Sequence, residues 1–131
     1  MTRTERNEKR LAELVPEVGA HAREHIRLCK ESGVRLLVVF AYRPLSEQAA
    51  LYARGRTSPG SVVTNARAGY SWHNFRRAYD VAVVGGDGTP RWDDLAAYKK
   101  AGGIGKGLGL IWGGDFVSVK GDWGHFEYHP G

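Results

Sequence analysis

The sequence predicts an α+β domain in which a small antiparallel sheet packs with N-terminal and connecting helices. Three observations favour this class: an amphipathic helical pattern near the N-terminus, apolar runs of strand length further along, and glycine-rich turns between short elements. The chain has 131 residues, of which 42% are hydrophobic. A chain of this length buries about two-thirds of its unfolded surface and has no room for a second module, so we predict one domain over residues 1–131.

The first part of the chain is predicted to be a helix followed by a strand. Apolar residues recur mostly at steps of three and four between residues 5 and 32, as on one buried helical face, and Pro16 is expected to kink or split this helix. Residues 34–41 then form an apolar, β-rich run that delivers Arg43 to its end. The helical face consists of Leu11, Leu14, Val15, Val18, Ala22, Ile26 and Cys29.

A short helix and a long loop are predicted next. Ser46 is a plausible N-cap for a helix over residues 47–54, and Gly55 would end that helix. Residues 56–70 carry Gly, Ser, Pro, Thr and Asn without periodicity. A loop of this length in a small domain is usually functional or mobile.

The second half of the chain is predicted to hold the other strands. Residues 79–84 form a buried strand, and residues 92–100 form a helix with two aspartates near its positive end. A glycine-rich turn should follow that helix. Residues 110–112 and 125–128 are short strand candidates on either side of a polar loop.

Composition narrows the range of partners and ligands. The net charge of +5 predicts attraction to polyanions, which include nucleic acid, a membrane surface and an anionic cell wall. Cys29 is the only cysteine, so a metal would have to be bound through nitrogen and oxygen atoms. No apolar run has the length of a secretory core or a membrane span. We therefore expect synthesis in the cytoplasm without a signal peptide, and no membrane insertion.

Two short stretches carry the chemistry: residues 71–80 (SWHNFRRAYD) and residues 122–125 (DWGH). A catalytic Zn²⁺ commonly takes three protein ligands and leaves a fourth position for water. His73, Asp80 and His125 could supply that set, with Asp122 as the proton acceptor. Judged by spacing alone, hydrogen-bonded polar residues at strand ends remain the commoner alternative.

A shared metal requires a backbone irregularity between His73 and Asp80. Seven positions apart on an unbroken strand, their side chains would face opposite sides, so we place a bend at residues 74–76. Gly124 is expected to let the backbone turn sharply, so that the side chains of Asp122 and His125 enter one cleft. Four aromatic residues are candidates for the walls of the groove, and the alternative is that they lie in the core: Tyr70, Trp72, Trp112 and Trp123.

Two further residues, Glu127 and His129, are candidate hydrogen-bond partners of His125. The alternative is that they form a polar edge of the sheet.

The combined pattern S-x-H-x(6)-D and D-x-x-H resembles the VanY-type zinc peptidases, which cleave D-alanyl-D-alanine or L-alanyl-D-glutamate bonds and include phage endolysins. Other segments in the same order resemble this family too. They are residues 41–44 (AYRP), Gln48, residues 51–57 (LYARGRT), residues 63–66 (VTNA) and residues 108–115 (LGLIWGGD). The resemblance covers most of the chain, from the first strand to the last motif.

The resemblance implies a role for each matching residue. His73, Asp80 and His125 match the family's ligands of a single Zn²⁺ ion, and Asp122 matches its catalytic acid and base. Arg43 matches an arginine that stabilises the developing oxyanion. Supporting or substrate-contacting roles fall to Ser71, Gln48, Trp72 and Trp112.

Two local features complicate the pattern. The family usually has glycine where this chain has Arg76; if that position has positive φ, arginine there costs about 1 kcal/mol or more, and the local bend is expected to differ. Residues 21–25 (HAREH) match a different helical zinc pattern. Since no further ligand is evident, we assign that stretch to a solvated helix face.

The expected function is that of a peptidoglycan endopeptidase of the endolysin type that cuts the L-alanyl-D-glutamate bond of the stem peptide. The expected protein is a monomer that reaches the wall through a membrane pore made by another protein and has no specific nucleic-acid partner. One alternative is a D-alanyl-D-alanine carboxypeptidase, in which Arg56 or Arg67 would bind the terminal carboxylate. Another is a non-catalytic module that binds the cell wall or nucleic acid.

Overall fold

The computed structural model describes residues 1–117 and 121–129, and it confirms the α+β class. Four antiparallel strands form one sheet in the order β1-β2-β4-β3. The strands are β1 (Arg35–Phe40), β2 (Ala78–Val84), β3 (Ile111–Trp112) and β4 (His125–Glu127). The helices are α1 (Arg3–Leu11), α2 (Pro16–Glu31), α3 (Leu45–Ala53) and α4 (Leu95–Gly107), with 3-10 turns at Trp72–Phe75 and Gly113–Asp115.

The long N-terminal pattern is split into α1 and α2, as Pro16 predicts. Pro16 occupies the first turn of α2, where its missing N–H removes no helical hydrogen bond. The predicted apolar face is buried or partly buried along its whole length. None of the helices in the described part of the chain combines the length and apolar content that a membrane crossing needs.

The free edge of β1 is covered by α1 through one buried amide. The Asn7 side chain donates to the carbonyl oxygen of Leu36 at 3.0 Å and accepts from the N–H of Val38 at 2.8 Å. Backbone groups of an edge strand otherwise remain available to another chain. Asn7 therefore completes the sheet on the side away from β2.

Helix α3 begins earlier than predicted, and Ser46 is not its N-cap. Pro44 takes the cap position with φ −61° and ψ 154°, without a side-chain cap hydrogen bond, and Ser46 lies inside the first turn. The helix ends at Ala53, close to the predicted end, and Gly55 has φ 78°. Gly55 thus adopts the left-handed conformation that glycine tolerates best.

Helix α4 is displaced toward the C-terminus relative to the prediction for residues 92–100. Asp94 caps it by accepting from the N–H of Ala97 at 3.2 Å, and the stretch expected to be a glycine-rich turn is helical. The reason is packing: a Cβ on Gly102 would lie 2.4 Å from the Trp112 ring, and one on Gly105 would lie 2.8 Å from Phe126. These glycines let α4 approach β3 and β4 at close range.

Adjacent glycines in α4 give a matched test of this packing. We expect Gly102→Ala to destabilise the protein by about 1–3 kcal/mol, because the added methyl group would displace the Trp112 ring. Gly103 has open space around it, so Gly103→Ala should stabilise the protein by about 0.5–1 kcal/mol. Urea unfolding of both variants measures the difference. Equal effects would show that α4 does not approach Trp112 in this way.

His25 lies in the core, which corrects its assignment to a solvated face. It is 0% exposed; Nε2–H donates to the carbonyl oxygen of Ala101 at 2.9 Å, and Nδ1 accepts from the Tyr79 hydroxyl at 2.8 Å. His21 instead stacks on Tyr128, with ring centroids 4.2 Å apart. Both nitrogens of His25 are therefore used within the core, which leaves neither for a metal.

Burial lowers the pKa of His25 to about 4, against a hydrogen bond to Ala101 that raises it. Between about pH 6.5 and pH 4 the unfolded chain takes up a proton at His25 that the folded protein refuses. The contribution of His25 to the free energy of unfolding is thus fully present above about pH 6.5 and is lost as the pH falls toward 4. We expect this residue alone to remove about 2 kcal/mol between pH 7 and pH 5.

The variant His25→Gln isolates this contribution, because glutamine has a similar hydrogen-bonding capacity and does not titrate. Free energies of unfolding of both proteins at pH 7 and pH 5 give the difference. The wild type should lose about 2 kcal/mol more than the variant on acidification. An identical loss in both proteins would contradict a neutral, buried His25.

Candidate metal centre

Three side chains converge where β2 pairs with β4. Asp80 and His125 lie directly opposite each other in the register, and His125 Nδ1 is 2.9 Å from Asp80 Oδ1. His73 Nε2 lies 3.2 Å from the same oxygen. One ligand atom from each of the three residues falls within 4.8 Å of the others. The three residues selected from the sequence are thus brought together at one point.

The predicted bend between His73 and Asp80 is present. His73 lies in the 3-10 turn Trp72–Phe75, and its N–H donates to Ser71 Oγ at 3.2 Å. Asn74 ties this turn to the end of β1, because its Nδ2 donates to the carbonyl oxygen of Arg43 at 2.9 Å. The turn therefore directs the His73 ring toward β2.

Arg76 ends the turn in the left-handed conformation, with φ 61° and ψ 32°. Its guanidinium donates to the carbonyl oxygen of Glu13 at 3.0 Å and lies 3.8 Å above the Tyr42 ring centroid. Its own carbonyl oxygen accepts from the N–H of Val15 at 3.0 Å. These contacts offset a conformation that is unfavourable for any residue with a Cβ.

Two substitutions at Arg76 separate strain from contacts. Both Arg76→Ala and Arg76→Gly remove the side-chain contacts, but only glycine is free of the left-handed penalty. We expect the glycine variant to be more stable than the alanine variant by about 1 kcal/mol in urea unfolding. Equal stabilities would mean that residue 76 does not hold a positive φ in solution.

The hydrogen bonds of the two imidazoles define which nitrogens face the centre. His73 Nδ1–H donates to the carbonyl oxygen of Ala41 at 2.8 Å, and His125 Nε2–H donates to Glu127 Oε1 at 2.8 Å. In neutral rings the other nitrogens, which face Asp80, then carry lone pairs. Two lone pairs and a carboxylate oxygen are mutually repulsive unless a cation lies between them. The donor set therefore fits a metal ion of the kind that binds two nitrogens and one oxygen.

The electrostatics of the site show the same demand for positive charge. Burial alone would lower the pKa of His125, but the hydrogen bonds that the ring donates to Asp80 and Glu127 raise it to about 10. Burial alone would raise the pKa of Asp80, but His125 and His73 hold it well below its usual range. The pocket thus stabilises a cation next to Asp80, whether a proton or a metal ion supplies the charge.

Asp122 borders the same centre. Burial raises the pKa of its carboxyl group, opposed by the charges of His125, His73 and Arg43 and assisted by that of Asp80. The predicted turn between Asp122 and His125 is present, because the N–H of His125 donates to the carbonyl oxygen of Asp122 at 3.3 Å. Gly124 has no positive φ in this turn, and a Cβ there would lie 2.3 Å from the carbonyl oxygen of Val81. Glycine is needed because the two backbones meet closely, with the N–H of Val81 donating to Gly124 at 2.9 Å.

Arg43 reaches the centre from the end of β1. Its Nη2 lies 3.9 Å from Asp80 Oδ2, and its Nη1 donates to Gln48 Oε1 at 2.9 Å. Gln48 is fully buried, and its Nε2 donates to the carbonyl oxygen of Ala66 at 2.7 Å. Gln48 thereby positions the guanidinium and one wall of the cleft together.

The centre lies in a cleft of about 720 Å³. Tyr70 and Trp72 line it as predicted from the sequence, together with Ser71, Phe40, Val63 and Phe116. Trp112 lies in the core instead: it is 8% exposed, and its Nε1 donates to the carbonyl oxygen of Trp123 at 2.8 Å. Trp112 can therefore influence the site only indirectly, through its hydrogen bond to the backbone of Trp123 next to Asp122.

Some contacts of the site were not anticipated or were left open. Glu127 Oε2 accepts from His129 Nε2 at 2.7 Å, and the His129 ring stacks on Trp72 with centroids 3.9 Å apart. The shared strand face had made Glu127 and His129 candidates. Phe116, whose ring centroid is 5.5 Å from that of His125, had no sequence signal because it follows an irregular turn.

Comparisons with known proteins identify a matching family model and a relative of this chain. A family model described as D-alanyl-D-alanine carboxypeptidase matches residues 64–128, which include all three ligand candidates and Asp122. The chain is 36% identical over 106 residues to the peptidoglycan L-alanyl-D-glutamate endopeptidase CwlK of Bacillus subtilis (strain 168). That match covers 75% of this chain and 63% of CwlK, so the chain spans less than two-thirds of this relative.

Solved structures share the fold. The Serratia marcescens L-Ala D-Glu endopeptidase ChiX superposes with a TM-score of 0.67 and 23% identity, covering 95% of this chain and 86% of ChiX. A vancomycin-resistance D,D-pentapeptidase VanY in complex with Zn(II) superposes with a TM-score of 0.64 and 16% identity, covering 88% of this chain and 72% of that chain. Taken together with the family model and CwlK, these matches show that the chain belongs to the VanY-like zinc peptidase family.

Proposed function

We propose that this protein is a zinc-dependent peptidase that cleaves the stem peptide of peptidoglycan at the L-alanyl-D-glutamate bond. The observation that carries the proposal is the pair of imidazole nitrogens turned toward Asp80, with Asp122 and Arg43 beside them in one cleft. The identity to CwlK supports the choice of substrate class.

One Zn²⁺ ion would be held by His73 Nε2, Asp80 and His125 Nδ1. When bound, it would supply Lewis-acid chemistry by acidifying water and polarising the scissile carbonyl. Glu127 would hold His125 in the tautomer that leaves Nδ1 free, since His125 Nε2 is 2.8 Å from Glu127 Oε1.

The proton and the developing charge would be handled by the chain's own residues. Asp122 would accept the proton of the attacking water and return it to the leaving amine, a role favoured by its raised pKa. Arg43 would stabilise negative charge on the carbonyl oxygen, because Gln48 holds its guanidinium toward the centre. Ser71 would act indirectly, by fixing the turn that bears His73.

A second candidate is a D-alanyl-D-alanine carboxypeptidase, favoured by the description of the matching family model. We prefer the endopeptidase because CwlK, the relative matched over 75% of this chain, is named for that activity. The net charge of +5 supports action on an anionic wall. We further propose that the protein acts as a monomer in cell lysis, as endolysins do.

Purified protein incubated with peptidoglycan tests both candidates, with new amino termini mapped by mass spectrometry. A new D-Glu amine supports the endopeptidase, and released D-Ala supports the carboxypeptidase. Absence of any product that depends on zinc would refute both.

The variant Asp122→Asn tests the proton-transfer role. We expect kcat to fall by about 10²–10⁴-fold while one zinc ion per chain is retained, because the substitution removes the base and leaves the ligands in place. Asp115→Asn is the matched control, since Asp115 is exposed and pairs with Lys106. An Asp122→Asn protein with full activity would overturn the assignment of the base.

A further inference from the structure

A second groove adjoins the cleft at Asp122. This groove has a volume of about 260 Å³ and shares four lining residues with the main cleft, namely Phe40, Asp80, Gly121 and Asp122. The two spaces therefore meet at the carboxylates beside the metal centre. A substrate bond placed at the centre would have room for chain on both sides. We call the smaller space the second arm.

The second arm has walls of a different character from those of the main cleft. Its own lining residues are mostly apolar or aromatic: Val39, Val81, Trp92, Tyr98, Trp123 and Gly124. Among the described residues, no lysine or arginine lines it. The main cleft contains Arg43, and Arg56 lies at its rim, where Nη1 donates to the carbonyl oxygen of Thr64 at 3.1 Å. Within the described part of the chain, the positive charge of the two grooves thus lies in the main cleft.

Trp92 is the most unusual residue of the second arm. Its side chain is 64% exposed although it lies next to a groove. A large exposed aromatic surface beside a binding site commonly marks a contact for a ligand. The indole has a flat face with negative charge density, which suits the positively polarised C–H groups of a sugar ring.

We propose that the second arm binds the saccharide on the amino side of the scissile bond, with Trp92 stacking on a pyranose face. This inference rests on the proposed action on peptidoglycan. The stem peptide is joined to its amino sugar through a neutral amide, and its free carboxylates lie on the carboxyl side of the first residue. The only charged groups that line the second arm among the described residues are the carboxylates of Asp80 and Asp122, so the arm suits the neutral sugar better than the acidic peptide. The cleft with Arg43 suits the acidic peptide.

Cleavage of two matched substrates tests the proposal. One is a muramoyl peptide, and the other is the same peptide with an N-acetyl group in place of the sugar. We expect Trp92→Ala to lower kcat/KM for the muramoyl peptide about tenfold, as for loss of an aromatic stacking contact, and to leave the acetyl peptide unchanged. Trp92→Phe should retain part of the activity. Ile111→Ala, which removes an exposed apolar side chain outside both grooves, should affect neither substrate.

Equal losses on both substrates, or no loss on the muramoyl peptide, would overturn the proposal. Binding of the disaccharide without peptide, followed by the indole N–H resonances, gives a readout that needs no cleavage. A shift of the Trp92 resonance supports the second arm, and a shift confined to Trp72 overturns it. If the wild type cleaves neither substrate, the proposed function fails, and the disaccharide titration still decides what the second arm binds.

Discussion

The architecture depends on one electrostatic constraint: the carboxylate of Asp80 is faced by two imidazole nitrogens whose opposite N–H groups are already committed. Ala41 engages His73, and Glu127 engages His125, each at 2.8 Å. Without a cation the three groups repel one another, so the site is stable only when a positive charge joins them. The stability of the pairing between β2 and β4, which carry Asp80 and His125, is thus linked to the binding of a cation at the site.

Several local features serve this convergence. The β2–β4 register sets Asp80 opposite His125, and a slip of one residue would turn one of them away. The third ligand, His73, comes from outside the sheet, and the chain turns from it into β2 through Arg76, which has a strained left-handed conformation. On the far side, α4 lies close enough for Gly105 to meet Phe126, which secures β4 from behind. The position of the three ligands is therefore set by the strand register, by the turn at Arg76 and by the packing of α4 together.

The ligands and the bend were within reach of sequence reasoning, since a shared metal demands an irregularity between His73 and Asp80. The helix through Gly102 and Gly105 was not, because local propensity disfavours glycine in a helix and the contacts that require these two glycines, with Trp112 and Phe126, are tertiary. Ser46 failed as a cap for a similar reason: Pro44 begins the helix earlier than the side-chain pattern suggests. The turn at Gly124 could be predicted too, but the close approach of the Val81 backbone, which also requires glycine there, leaves no signature in the sequence.

The arrangement of cations bears on which bond is cut. A carboxypeptidase must hold a terminal carboxylate with a cationic group near the centre. Arg43 is engaged with Gln48, while Arg67 donates to the Tyr52 hydroxyl at 3.3 Å and Arg56 lies 3.9 Å from the same ring. The two outer arginines are therefore held against Tyr52 rather than aimed at the metal centre. The side that distinguishes the two activities is the carboxyl side of the scissile bond, which we assign to the main cleft. At about 720 Å³ this cleft has room for more than one terminal residue, which is what an endopeptidase needs and a carboxypeptidase does not.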